Sequence, residues 1–90
     1  MKLKLVSKVK VKNRLGLHAR PASTIVKILQ SCKSEVFFTH KEETINAKSI
    51  ISILMLAAQQ HSSITICVEG EDASPIMEKL VEAFENQFGE

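Results

Sequence analysis

Leu3, Leu5, Val9 and Val11 alternate with Lys2, Lys4, Lys8, Lys10 and Lys12, the period-two pattern of a strand with one buried and one wet face. The lysines make up the wet face. From Ala19 to about Ser31 the period lengthens, with Ala22, Ile25, Val26 and Leu29 recurring at helical spacing. Val36 to Thr39 is a β-branched and aromatic run, Thr44 to Ala47 a partner strand, and His40 to Glu43 the polar turn between them. Ser49 stands directly before Ile50–Ala58, a natural N-cap ahead of a short helix that is apolar on nearly every side. Ile64, Ile66 and Val68 alternate with Thr65, Cys67 and Glu69 as a further strand. Asp72 or Ser74 can cap the last helix, whose buried stripe is Met77, Leu80, Val81, Phe84 and Phe88. The order is βαββαβα. With no long crossover connection it predicts a four-stranded antiparallel sheet with three helices on one face, an α+β two-layer sandwich.

The bulk numbers narrow what such a sandwich can do. Ninety residues support one domain, residues 1–90, with a two-layer core but no room to enclose a deep substrate cavity. Chemistry is therefore expected at the surface. No apolar run reaches the roughly 18 residues of a membrane span, and the lysine-studded start lacks the continuous apolar block of a signal peptide. The cytoplasm is the default location. Six of the 12 Lys+Arg lie between Lys2 and Arg14, and seven of the 10 acids between Glu69 and Glu90. The basic start does not point to nucleic acid, because the chain has no Trp or Tyr for base stacking and its four Phe sit in apolar patterns. Cys32 and Cys67 are far apart with no CxxC and no paired histidines, so they read as inert thiols and no metal site is expected.

The stretch "NRLGLHARPAST", Asn13–Thr24, carries the candidate chemistry. If His18 is the N-cap, Ala19, Arg20 and Pro21 fill the first turn, where proline is tolerated because its missing N–H has no intrahelical partner. Free backbone N–H groups and the positive end of the helix dipole then make an anion site beside the imidazole. Arg20 adds a guanidinium able to grip phosphate oxygens. The dipole disfavours imidazolium and keeps a ring nitrogen available as a nucleophile. Gly16 suits a loop needing close approach or positive φ. No GxxxxGK[ST] loop and no acidic cluster near His18 are present to bind a nucleotide or magnesium, so the chain is expected to need no cofactor and to be charged by another protein. From these residues alone, a capping histidine and a functional one are about equally supported.

"GLHARPA", Gly16–Ala22, together with "NAKSI", Asn46–Ile50, and the element order resembles the HPr family, the histidine-containing phosphocarriers of the bacterial phosphoenolpyruvate phosphotransferase system. The resemblance implies an open-faced β-sandwich and a carrier that is not itself an enzyme. It implies that His18 is phosphorylated at Nδ1 by Enzyme I and passes the group to Enzyme IIA proteins of sugar uptake. Arg20 would contact the phosphoryl group. Ser49 would be the regulatory serine that an HPr kinase/phosphorylase modifies in some bacteria. The chain departs from many members in having His61 before Ser62, at a position that can be left-handed, and Ile50-Ile51-Ser52 after Ser49. "ILMLAA" and "FENQFGE" look like the nitrogen-branch relatives, which signal with the same chemistry.

The apolar excess of the second helix needs a cover. With Ile53 and Leu56 inward, Ile50, Ile51, Leu54 and Met55 face outward as a candidate docking surface, the surface the resembling family offers to both partners. By residue type, Met55 and Met77 belong to cores more often than to contact surfaces, and His40 and His61 are expected solvated in turns. Two other classes remain open. A purely regulatory protein acting through Ser49 is disfavoured by the presence of His18, and an autonomous phosphohydrolase by the missing second acid/base group and pocket. A monomer that neither inserts in membranes nor binds nucleic acid is the expectation.

Overall fold

The computed structural model describes residues 3–90; Lys2, the first lysine of the alternating start, lies outside them. The elements follow the order β1 (Leu3–Lys10), α1 (Ala19–Leu29), β2 (Glu35–His40), β3 (Glu43–Asn46), α2 (Ile50–Leu56), β4 (Ser63–Gly70), α3 (Ala73–Glu85) and a closing turn Gln87–Gly89. The four strands pair antiparallel in the order β1-β4-β2-β3. This is the α+β sandwich that the periodicity predicts.

Alternation decides the two faces of the sheet. Ile64, Ile66 and Val68 of β4 are fully buried, and the register sets them beside Val9, Ser7 and Leu5 of β1 and Phe38 and Val36 of β2. The helices cover this face with Ala22, Ile25 and Leu29 of α1, Ile53 and Leu56 of α2, and Ile76, Met77, Leu80 and Phe84 of α3. Phe84 meets Phe38 edge-on with ring centroids 5.8 Å apart. Lys4, Lys8 and Lys10 are exposed on the opposite face. Leu3 departs from the expected buried set at 48% exposed. It lies at the end of an edge strand opposite Gly70, which offers it no side chain across the pair.

Three local expectations are corrected. His40 and Glu43 are paired residues of the hairpin, so its turn is only Lys41-Glu42, and Lys41 takes φ +58 where no glycine or asparagine is available. The α2 helix stops at Leu56, not Ala58, because Ala57 turns left-handed at φ +53, while His61 takes φ +76 in the following turn. Asp72 holds the N-cap position of α3 but makes no capping hydrogen bond. Its carboxylate instead accepts from the Lys33 N–H at 2.8 Å and from the buried Ser34 hydroxyl, tying the start of α3 to the entry of β2. Both cysteines are free and half-buried.

Candidate functional site at the start of the first helix

Backbone constraints shape the loop ahead of α1. Gly16 turns at φ +71, and a Cβ there would collide with the Ala58 carbonyl oxygen, so both reasons for a glycine hold at once. The next N–H, from Leu17, donates to that same carbonyl at 2.9 Å. Asn13, buried, donates through Nδ2 to the Gly16 carbonyl at 2.6 Å and closes the loop from within. His18 follows as the N-cap residue, extended at φ −84, ψ −167, with no side-chain capping bond.

The N–H groups of Ala19 and Arg20 have no acceptor among the described residues, and Pro21 has no N–H to offer. With no acid in the first turn, the start of this 11-residue helix stays electropositive. An open cavity of about 500 Å³ lies here, lined by Arg14, Leu15, His18, Arg20, Gln87 and Glu90. His18 and Arg20 are therefore brought together as expected. Arg14 adds a second guanidinium that the motif alone did not flag. Glu90 brings a carboxylate oxygen to 2.8 Å from His18 Nε2. That contact lies within ion-pair distance, yet Nε2 is buried and makes no hydrogen bond of acceptable direction. The imidazole as a whole is a third exposed, so the ring is open on another edge.

Ser49 and the outer residues of α2 lie outside this cavity. Ser49 is the N-cap of α2, its Oγ accepting from the Ser52 N–H at 3.2 Å. Ile53 and Leu56 point inward, while Ile50 (39%), Ile51 (66%), Leu54 (41%) and Met55 (71%) are exposed. Met77 is core and Met55 is surface, so residue type misjudged the second of the two methionines. No helix among the described residues is long and apolar enough to cross a membrane.

Fold and site together define an open-faced sandwich that displays a histidine at a helix start, beside free amide groups and in a cavity that two arginines also line. Residues 6–86 match the family described as the PTS HPr component phosphorylation site. The phosphocarrier protein HPr of Chlamydia muridarum is 45% identical over 80 residues, which cover 89% of this chain and 77% of that protein. A crystal structure of HPr from Thermoanaerobacter tengcongensis matches with a TM-score of 0.91 at 32% identity, covering 96% of this chain and 97% of the other. One of HPr from Bacillus anthracis matches with a TM-score of 0.85 at 36% identity, covering 90% and 96%. The chain belongs to the HPr family, the phosphocarriers of the phosphotransferase system. Its partners are accordingly proteins of that system, in general of the Enzyme I and Enzyme IIA kinds, and it is a carrier and not an enzyme.

Proposed function

We propose that His18 carries the phosphoryl group, accepting it at Nδ1 from phospho-Enzyme I and passing it to Enzyme IIA proteins of the sugar phosphotransferase system. The observation that carries this reading is the asymmetry of the ring: Nε2 is buried against Glu90 while the imidazole remains a third exposed at the helix start. Nδ1 is then the nitrogen open to a donor. Its lone pair attacks phosphorus as the donor's bond to phosphorus breaks, and the Ala19 and Arg20 N–H groups with the Arg20 guanidinium receive the phosphoryl oxygens. The outer face of α2, with Ile50, Ile51, Leu54 and Met55, docks both partners in turn. Ser49, at the edge of that face, is the regulatory position where a kinase is present. The carrier works as a cytoplasmic monomer.

Incubation with phosphoenolpyruvate and purified Enzyme I, followed by intact mass, should add one phosphoryl group that is acid-labile and base-stable. His18→Ala should remove all labelling with the fold intact. Arg20→Ala should slow charging without abolishing it, because the backbone donors remain. Labelling of the His18 variant at His40 or His61 would overturn the assignment.

A further inference from the structure

Arg14 and Leu15 are the two central residues of a closed turn. The Gly16 N–H donates to the Asn13 carbonyl at 3.2 Å, and the Gly16 carbonyl accepts from Asn13 Nδ2 at 2.6 Å and from the His18 N–H at 3.0 Å. Asn13 is buried at one end of the turn, and Gly16 lies against Ala58 at the other, too close for a side chain. A turn fixed at both ends projects its central side chains: Leu15 is 72% exposed, and Arg14 is exposed beside it. Both line the cavity that holds His18 and Arg20. Neither arginine has an ion-pair partner among the described residues, where the pairs are Lys12 with Glu85 and His18 with Glu90.

A phosphoryl group brings about −1.5 to −2 charge at neutral pH and three acceptor oxygens. The start of α1 offers it two N–H groups and one guanidinium, that of Arg20. Glu90 lines the same cavity with a carboxylate, so one arginine leaves much of the negative charge unmatched. We propose that Arg14 is a second phosphoryl-binding residue, gripping the oxygens of the loaded group from the loop while Arg20 and the helix amides grip them from α1. This rests on the reading that His18 is the carrier. On loading, the P–Nδ1 bond forms as the donor's bond to phosphorus breaks and its electron pair stays on the donor. Discharge runs the same exchange toward the acceptor. Arg14 gains and loses no proton in either direction, since a guanidinium stays cationic throughout. Its planar fork can donate two parallel N–H bonds to phosphoryl oxygens, which a lysine ammonium does not reproduce. A cation so placed favours the more ionised phosphoryl group and lowers its second pKa.

The test uses the full chain, loaded by phosphoenolpyruvate and a trace of Enzyme I until intact mass shows one phosphoryl group, so that a slowly charged variant only needs longer. Phosphorus-31 NMR against pH then reads the second ionisation of the phosphoryl group with no partner bound. Arg14→Ala should raise that pKa by about half a unit, the scale of an exposed ion pair, and Arg20→Ala by at least as much. Arg14→Lys, which keeps the charge without the fork, should recover part of the shift. Lys8→Ala removes the same charge from the exposed face of β1 and should leave the titration at its wild-type value. A wild-type titration in loaded Arg14→Ala overturns the proposal. So does an equal shift in Lys8→Ala, which would make the effect one of net charge. A raised KM for Enzyme I with an unmoved titration would make Arg14 a docking contact and overturns the proposal as well. Retained labelling of His18→Ala strikes instead at the carrier assignment, which the titration of the Arg14 variants does not decide.

Discussion

The proposed docking face can be tested by removing its most exposed side chains, Ile51 and Met55, together. They are one i,i+4 step apart on the outside of α2 and are 66% and 71% exposed. Fully burying an apolar side chain of this size is worth about 1.5–3 kcal/mol. About two-thirds of each remains to be buried by a partner, and alanine retains a part of that, so the pair contributes on the order of 2 kcal/mol to docking. At 1.4 kcal/mol per decade, Ile51→Ala with Met55→Ala should raise the KM for Enzyme I by tenfold or more. Leu54 is a poorer choice, because at 41% exposed more than half of it already packs within the carrier and its loss would mix docking with stability. The two substitutions should leave the melting temperature within a few degrees, since alanine is the better helix former. Steady-state charging at saturating phosphoenolpyruvate, with the carrier varied, measures the first quantity and a thermal melt the second. An unchanged KM would refute the docking surface. A large drop in melting temperature would show that these side chains belong to the core.

Two other perturbations separate regulation from stability. Ser49→Glu places a carboxylate at the positive end of α2, which the helix tolerates, but beside the Ile51–Met55 face; charging by Enzyme I should slow by about tenfold or more at matched stability, and wild-type kinetics would remove the regulatory role. Asp72 is held below its ordinary value of 3.8 by the Ser34 hydroxyl and then the Lys33 N–H, so the ionised form is favoured in the folded state. Its contribution is complete above that ordinary value and is lost as pH falls through the folded one. Asp72→Asn should therefore flatten the acid limb of stability against pH, followed by urea midpoints; identical acid limbs in the two proteins would show that the carboxylate does not act this way.

What could be read in the sequence was whatever local periodicity or a local backbone demand dictates. Ile64, Ile66 and Val68 could alternate only if one face of β4 were buried, and Pro21 restricts the start of α1 so closely that His18 becomes the cap. Gly16 was legible for the same reason. The contacts that escaped are non-local. Asp72 has the right chemistry to cap α3, yet Ser34, 38 positions away, captures its carboxylate. Glu90 reaches His18 only because Gln87 and Phe88 accept a left-handed backbone without being glycine, and packing of Phe88 against Phe84 enforces that conformation. Nothing in the pattern of "ENQFGE" signals such a turn. Lys41 in the hairpin turn is a further instance of tertiary pairing overriding local turn preference.

Under the proposed reading, the tie between Gly16 and Ala58 would let one face serve two partners. The loop that carries His18 is joined to the segment just after α2 by the Leu17 N–H to Ala58 carbonyl bond of 2.9 Å, and a side chain at Gly16 would push the two apart. Just beyond, the His61 N–H donates to the Val11 carbonyl at 2.7 Å and the Val11 N–H to the Ser62 carbonyl at 2.9 Å, bracing the same junction from the sheet side. The placement of the His18 loop relative to α2 is thus held by backbone bonds, which do not depend on the exposed side chains of α2. A partner seated on Ile51 and Met55, as proposed, would find His18 at a set position, and group transfer depends steeply on such placement. On that reading donor and acceptor would be free to differ in how they grip α2 while meeting the imidazole in the same geometry, because the reference they would share is the carrier's main chain.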